Sequence, residues 1–218
     1  MIETTTANGL HSFVVDRVLR NYARPGVRAV DLGSGPGAMA ERLQSLGCAV
    51  LAVDRASDGY KASAPHVVAD LDERNFYQKL GPASFDLVTA IEVIEHLESP
   101  ICFLRNVGRL LAPGGVAVLT TPNVDSLPAR VKFLLTGKIR TMDDRSEPTH
   151  ISPVFWDLFR RQFLPLANVE LRDRLVFPPN GYQLTRKSLA WVFRLAMPAF
   201  RGDCLAGDNH IWVIEAHS

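Results

Sequence analysis

Val30-Asp31-Leu32-Gly33-Ser34-Gly35-Pro36-Gly37 is the stretch on which the fold turns. The run Val27–Leu32 is short, apolar and closes on an acid, the pattern of a buried strand. Gly33 to Gly37 is then a turn, in which glycine lets the backbone bend sharply and lets a ligand approach without a Cβ in the way. Residues 38–46 carry Met39, Leu43 and Leu46 at helical spacing, and Gly47 supplies the stop. The start of that helix offers unpaired N–H groups to an anion such as a carboxylate. By itself the turn leaves three readings open. Gly33-x-Gly35-x-x-Ala38 satisfies the looser nicotinamide-dinucleotide pattern, an adenosyl cofactor fits as well, and a tight turn without ligand needs neither.

Upstream, residues 10–23 place Phe13, Val14, Val18, Leu19 and Tyr22 at helical spacing, ended by Pro25-Gly26. Downstream, Ala49–Val53 reads as a second strand ending at Asp54, where a carboxylate can accept both hydrogen bonds of a ribose diol. His66–Ala69 is a short third strand ending at Asp70, whose carboxylate can reach an adenine amino group. Asp72 is expected to cap the helix that follows. Phe85–Ile91 and Val116–Thr121 are the fourth and fifth strands, with a helix over 99–111 between them. This alternation predicts an α/β fold with a mostly parallel sheet covered on both faces.

The alternation lapses after Pro122. Residues 123–150 read as an insertion holding the charged stretch Thr141–Pro148, and as a lid over the acceptor entrance. Residues 153–163 read as a helix with Ser152 as N-cap. Val169–Phe177 and Ile211–Ala216 read as the last two strands, with a helix over 183–199 between them. The chain is thus expected to form a single domain over 1–218, with 123–150 and 178–208 as substrate caps.

Composition narrows the function. The 218 residues carry 24 Lys and Arg against 23 Asp and Glu, a net charge of +1, so broad charge-driven binding to nucleic acid has no support. Cys48, Cys102 and Cys204 are odd in number and far apart, as expected of reduced thiols in a cytoplasmic protein. Neither a secretion signal nor an apolar run of ~18 residues is present. The 183–199 segment mixes Leu184, Leu189, Trp191, Val192, Phe193, Leu195 and Met197 with Arg186, Lys187 and Arg194. Two readings stay open for it: packing over the sheet or in a dimer, and weak contact with a membrane surface.

VDLGSGPG (30–37), AVD (52–54), ADL (69–71), FDLVTAIEVIEHL (85–97) and LLAPGGVAVLTTPN (110–123) follow one another in the order of class I S-adenosylmethionine-dependent methyltransferases, which this chain resembles over roughly residues 28–123. The resemblance implies a Rossmann-like sheet of seven strands with the last one antiparallel. It implies S-adenosylmethionine as cofactor. Gly33, Gly35 and Gly37 would contact its methionine part, Asp54 its ribose and Asp70 its adenine, and Ala90 and Ile91 would line the methyl-donor pocket. Asp31, Ser34, Arg55 and Leu71 join the cofactor-binding set. A dehydrogenase would need a further substrate region, so the resemblance disfavours an NAD-dependent oxidoreductase. A non-catalytic cofactor-binding module stays as an alternative.

Glu92-Val93-Ile94-Glu95-His96, Thr121-Pro122-Asn123 and the later His150 further resemble ubiquinone-biosynthesis O-methyltransferases, small-RNA 2′-O-methyltransferases and bacterial enzymes acting on sugars or secondary metabolites. The RNA reading is weak, because the basic run Arg130, Lys132, Lys138, Arg140 stands beside Asp143, Asp144 and Glu147. The expected acceptor is a small molecule bearing a hydroxyl, taken by a monomer or homodimer. If residues 92–96 are helical, Glu92 shares a face with Glu95 and His96. With His150 these four would bind a divalent metal (Mg, Mn, Fe or Zn) that activates the hydroxyl. Two other readings stay open: His96 or His150 as a metal-free general base, and Glu95-His96 as a mere helix end.

Overall fold

The structure is a computed structural model that describes residues 2, 6–144, 148–200 and 204–217. Seven strands form one sheet in the order β3-β2-β1-β4-β5-β7-β6. They are β1 (Arg28–Leu32), β2 (Ala49–Asp54), β3 (His66–Val68), β4 (Phe85–Ile91), β5 (Leu111–Pro122), β6 (Val169–Phe177) and β7 (Asn209–Ala216). The pairs β1–β2, β1–β4, β2–β3 and β4–β5 are parallel, whereas β7 is antiparallel to both β5 and β6. The last strand is antiparallel, as the resemblance implied, and it inserts between β5 and β6. Strand order reverses beside β1, and there the carboxyl ends of β1 and β4 open a crevice.

Each face of the sheet carries its own core. On one, Val30, Val88, Ala90, Leu119 and Trp212 pack under α4 (Pro100–Leu110) and the helical stretch 156–167. On the other, Ala29, Leu87, Val118 and Ile211 pack under α1 (Leu10–Arg17) and α2 (Ala38–Ser45). The period-two alternation of strand side chains sorts the two sets. α4 starts well: Ser99 accepts from Cys102 N and Pro100 occupies the first turn, where its missing N–H costs nothing. α3 is a single turn, Tyr77–Leu80.

Local details differ from the sequence reading. The 123–150 insertion contains a ten-residue helix, α5 (Leu127–Thr136), ended by Gly137 at φ 66. Residues 145–147, including Glu147, lie outside the described residues, as do 1, 3–5, 201–203 and 218. Ser152 is no N-cap; its hydroxyl donates to Leu97 O, and the helix starts three residues later as α6 (Trp156–Leu158). It continues through a π turn, Phe159–Phe163, into α7 (Leu164–Ala167). Asp72 does not cap the next helix either: α3 starts at Tyr77 with Phe76 at its N-cap, and the Asp72 carboxylate accepts from Glu98 N instead. The 183–199 segment is α8 (Lys187–Ala196) followed by a 3-10 turn, and none of its residues is buried. Packing over the sheet is thereby excluded for α8: Trp191 is 64% exposed and Leu195 62%.

Candidate active site

The three turn glycines have different reasons to be glycine. All adopt positive φ, 70 at Gly33, 50 at Gly35 and 94 at Gly37. A Cβ on Gly33 would stand 2.5 Å from Val93, and one on Gly37 2.6 Å from Ala62, so both are required by the protein's own packing. Above Gly35 nothing lies within 4 Å. That position is the open one, where a ligand can approach the backbone.

Two cavities meet at Gly33. The larger, about 370 Å³, is lined by Asp54, Arg55, Ala69, Leu71, Val93, His96 and Thr149 among others. The smaller, about 40 Å³, is lined by His11, Asp31, Ser34, Gly35 and Ile91 among others. Buried polar atoms crowd the smaller one. Asp31 Oδ2, Ser34 Oγ and both ring nitrogens of His11 have no hydrogen-bond partner among the described residues. Groups buried this way are costly unless something satisfies them. Asp31 is held in place by Thr89, which donates to its other oxygen at 2.8 Å. Burial pushes the Asp31 carboxyl up to about 7. Burial, and then the charge of Arg42, pushes the His11 imidazole down to about 4, so it is neutral at pH 7. Donors and acceptors together suit an amino-acid head group.

The acids at the strand ends are already engaged. Asp54 accepts from Gly35 N at 2.8 Å and from Arg55 N at 2.7 Å, which ties the second strand to the glycine turn. A carboxylate has further lone pairs, and Asp54 lines the larger cavity. Asp70 is turned towards Asp72 N and the Arg55 guanidinium, at 3.0 and 3.1 Å. Those two contacts hold its carboxyl below the usual range. Its neighbours Ala69 and Leu71, not Asp70 itself, line the cavity. Ala90 lies elsewhere. Its side chain belongs to the core on the α4 face and lines neither cavity, because alternation along β4 sends it inward while Ile91 faces the turn.

Glu92, Glu95 and His96 do not share a helix face. Glu92 follows β4 at φ 58, and only Ile94–His96 forms a 3-10 turn. The left-handed kink is held by Glu92 N donating to Thr120, and Glu92 Oε1 accepts from Asn209 at 2.7 Å. Even so, Glu95, His96 and His150 come together, with ligand atoms within 4.8 Å of one another. Glu92 stands outside that group. The imidazoles meet edge to face at 4.7 Å. Each Nδ1 faces a backbone carbonyl, Thr149 O for His96 and Thr141 O for His150. A carbonyl only accepts, so in the neutral rings the proton sits on Nδ1 and the lone pair on Nε2, the arrangement of a metal-ligating histidine. Glu95 is fully buried with both oxygens unpartnered among the described residues. Burial, with the charge of Glu92 added, pushes its carboxyl well above the usual value, and burial alone lifts Glu92 to about 7. An orphaned buried carboxylate beside two oriented imidazoles fits a cation.

His11 was missed by sequence reasoning, although the signal was there: it stands three residues before Val14 on the buried stripe of α1. The basic run is largely neutralised within the protein. Lys132 pairs with Asp143, Lys138 with Asp144 and Arg140 with Asp208. The three cysteines are free thiols, two buried and Cys102 half-buried. Among the described residues no helix is long and apolar enough to cross a membrane.

A family profile described as a methyltransferase domain matches residues 8–194. A ubiquinone biosynthesis O-methyltransferase of Xanthomonas campestris pv. campestris is 32% identical over 137 residues, 60% of this chain and 56% of that protein. One from Caulobacter vibrioides is 36% identical over 129 residues, 51% of this chain and 50% of its own length. The chain thus spans little more than half the length of these curated relatives. A solved S-adenosylmethionine-dependent methyltransferase from Archaeoglobus fulgidus superposes with TM-score 0.61 at 18% identity, covering 94% of this chain and 93% of that one. The [4+2]-cyclase SpnF superposes equally well, TM-score 0.61 at 16% identity, covering 96% and 80%. At these identities the likeness establishes the fold, and a cyclase among the neighbours shows that the fold alone does not name a reaction.

Proposed function

The chain belongs to the methyltransferase domain family, and on that premise we propose that it moves a methyl group from S-adenosylmethionine to a hydroxyl of a small-molecule acceptor. The pair of cavities joined at Gly33 carries this reading. Asp31, Ser34 and His11 would take the amino-acid head in the smaller cavity. Asp54 would hold the ribose, with Arg55 and Leu71 along the larger cavity and Gly35 giving open backbone between the two. Asp70 acts on the site through Arg55, which it anchors. When bound, the cofactor supplies a methyl group already activated on a sulfonium, so the protein's part is to align two reactants and keep water out.

The acceptor side falls to Glu95, His96 and His150. These three would hold a divalent cation, and their mixed oxygen and nitrogen donors suit Mn, Fe or Zn better than Mg. Such a cation would lower the pKa of an acceptor hydroxyl. Glu92, fixed by Asn209, contributes charge beside Glu95 rather than a ligand atom. A metal-free route is the second reading, favoured by the Nε2 lone pairs of His96 and His150, either of which could take the hydroxyl proton. The relatives named as O-methyltransferases support oxygen as the atom modified.

Calorimetry with S-adenosylhomocysteine, followed by an acceptor screen over phenols, catechols and sugar nucleotides, tests the proposal. Binding with turnover is the expected result. Absence of binding overturns the reading, and binding without turnover over the whole screen points to a non-catalytic module. Loss of turnover with a chelator, restored by Mn²⁺, is expected of the metal route. Turnover untouched by chelator but lost in His150→Ala selects the metal-free one.

A further inference from the structure

Asp208 and Asn209 stand where the chain enters β7, and Asp208 is fixed to the sheet: its N donates to Phe177 O and its O accepts from Asn123 N, both at 2.7 Å. Asn209 holds Glu92. Asp208 reaches the opposite way. Its Oδ1 accepts from Arg140 Nη1 at 2.8 Å, and Oδ2 accepts from Gln183 N and Leu184 N. Arg140 Nη2 also donates to Thr185 Oγ1 at 3.1 Å. Both members of the pair are buried, so little water competes for them. The residue after Arg140 is strained. Arg140 and Thr141 are the central residues of a turn closed by Met142 N, which donates to Ile139 O at 3.3 Å, and Thr141 sits there at φ 69. Gly or Asn suits such a position, and a β-branched side chain is an outlier in it. Strain of this kind persists only where the surroundings impose it, and it gathers at functional sites. Here the strained residue gives its carbonyl to His150 Nδ1, at 2.8 Å.

We infer that Asp208 and Arg140 are positioning residues for His150. Their ion pair clamps the turn in which Thr141 is strained, and the Thr141 carbonyl keeps the His150 proton on Nδ1. That leaves the Nε2 lone pair to the cluster with Glu95 and His96. The inference rests on the reading of those three residues as the acceptor side, and it serves both routes, since a metal ligand and a general base each need that lone pair. A tie that merely joined the two excursions would need Arg140 and Asp208, but it would not need an unfavourable Thr141 with its carbonyl on a site histidine. The consecutive residues Asp208 and Asn209 would then set both flanks of the cluster from one rigid strand end, His150 through Arg140 and Thr141, and Glu92 directly.

Asp208→Asn tests this in the full chain. It keeps an oxygen for the amides of Gln183 and Leu184 and removes the charge that holds Arg140. Nitrogen NMR of labelled histidine rings, at about pH 8.5 where an ordinary imidazole is neutral, reads the tautomer directly. The His150 signal, assigned by its loss in His150→Ala, is expected as Nδ1–H in the unaltered protein and as a mixture with Nε2–H in Asp208→Asn. Thr185→Val, a milder change, should shift it less in the same direction and gives the reading if Asp208→Asn does not fold. Mn²⁺ affinity or turnover, whichever the unaltered protein shows, should fall about tenfold in Asp208→Asn, with S-adenosylhomocysteine affinity unchanged. In a His150→Ala background the same substitution should cost no more. An Nδ1–H signal unchanged in the folded variants overturns the inference, as does a loss that adds in full to that of His150→Ala, or no loss at all. A tautomer shift in a protein whose unaltered form shows neither Mn²⁺ binding nor turnover would uphold the positioning of His150 and overturn the acceptor-side reading.

Discussion

Residues 28–122 and the two excursions 123–144 and 178–208 are held by different physics. In the first region five parallel strands lie side by side, and buried apolar area does the work, with Ala29, Val30, Leu87, Val88 and Leu119 all fully covered. In the second, α5 buries only Leu127, Pro128 and Ala129, and α8 buries nothing. A few directed polar ties hold it instead. Arg140 reaches Asp208 in a buried pair, and the other Asp208 oxygen accepts from Gln183 N and Leu184 N. Asn123 donates to the carbonyls of Cys204, Ala206 and Gly207. Area is forgiving of one lost contact, but a buried ion pair is not, because the partner left behind is an uncompensated charge.

The largest expected effect breaks such a tie. Asp208→Ala strands Arg140 and should cost about 3–5 kcal/mol. If the two regions differ as described, hydrogen exchange will speed up first at the amides of 123–140 and 178–208, with the β1, β2 and β4 amides protected. Uniform loss of protection would mean that the second region is no separate unit.

Next comes Asp54→Ala, a change at the seam of the sheet and the glycine turn. Loss of charge-assisted hydrogen bonds to a ribose should weaken S-adenosylhomocysteine binding by ~2–3 kcal/mol. Unchanged affinity by calorimetry would remove Asp54 from the site.

A smaller effect sharpens the electrostatic side. The folded value of Asp31, about 7, lies above its ordinary 3.8, so folding favours the protonated acid. That contribution is fully present below the ordinary value and is lost as pH rises to about 7. Relative to Asp31→Asn, the unaltered protein should therefore lose stability between about pH 4 and pH 7. Denaturant midpoints for the pair across that window measure it, and parallel curves would show that Asp31 is not desolvated.

The smallest effect belongs to α8. Trp191→Ala removes an exposed side chain and should leave stability within roughly 0.5 kcal/mol. Two readings of this face remain, a dimer contact and a weak contact with an anionic bilayer, and Arg186, Lys187 and Arg194 with no acid in α8 suit the second. Vesicles containing anionic lipid should shift the emission of Trp191 to the blue. A spectrum identical to that of the Trp191→Ala protein would end the membrane reading.

This contrast also explains what the sequence made legible. The strands and the glycine turn could be read because local pattern and burial agree there: Val30 and Leu32 alternate with Ala29 and Asp31, and Gly35 is open as expected. Ala90 and Asp70 show the limit. Pattern places a residue at a strand end, but whether its side chain meets the cavity, the core or an arginine depends on neighbours far away in sequence. Glu92 shows it again, since a left-handed residue stabilised by Thr120 and Asn209 has no local signature. The meeting of Glu95, His96 and His150 was legible only as a resemblance. Their convergence depends on Ile151 N and Ser152 N both donating to Glu95 O, a long-range tie that no periodicity announces.

The base of the 178–208 excursion has a consequence for how such a chain can change over generations. Phe177 pairs with Asn209 in register, Asp208 N returns to Phe177 O, and Gly207 N to Gly181 O. Gly207, where a Cβ would stand 2.7 Å from that of Val176, pins the crossing. The two strands are thus closed as a hairpin at the base of the excursion, and α8, which buries nothing, hangs from it as a pendant. Closure entropy rises slowly with loop length, so this pendant can be lengthened, shortened or exchanged at small cost. A descendant could acquire a new clientele by inheriting a different pendant while its sheet stays as it is.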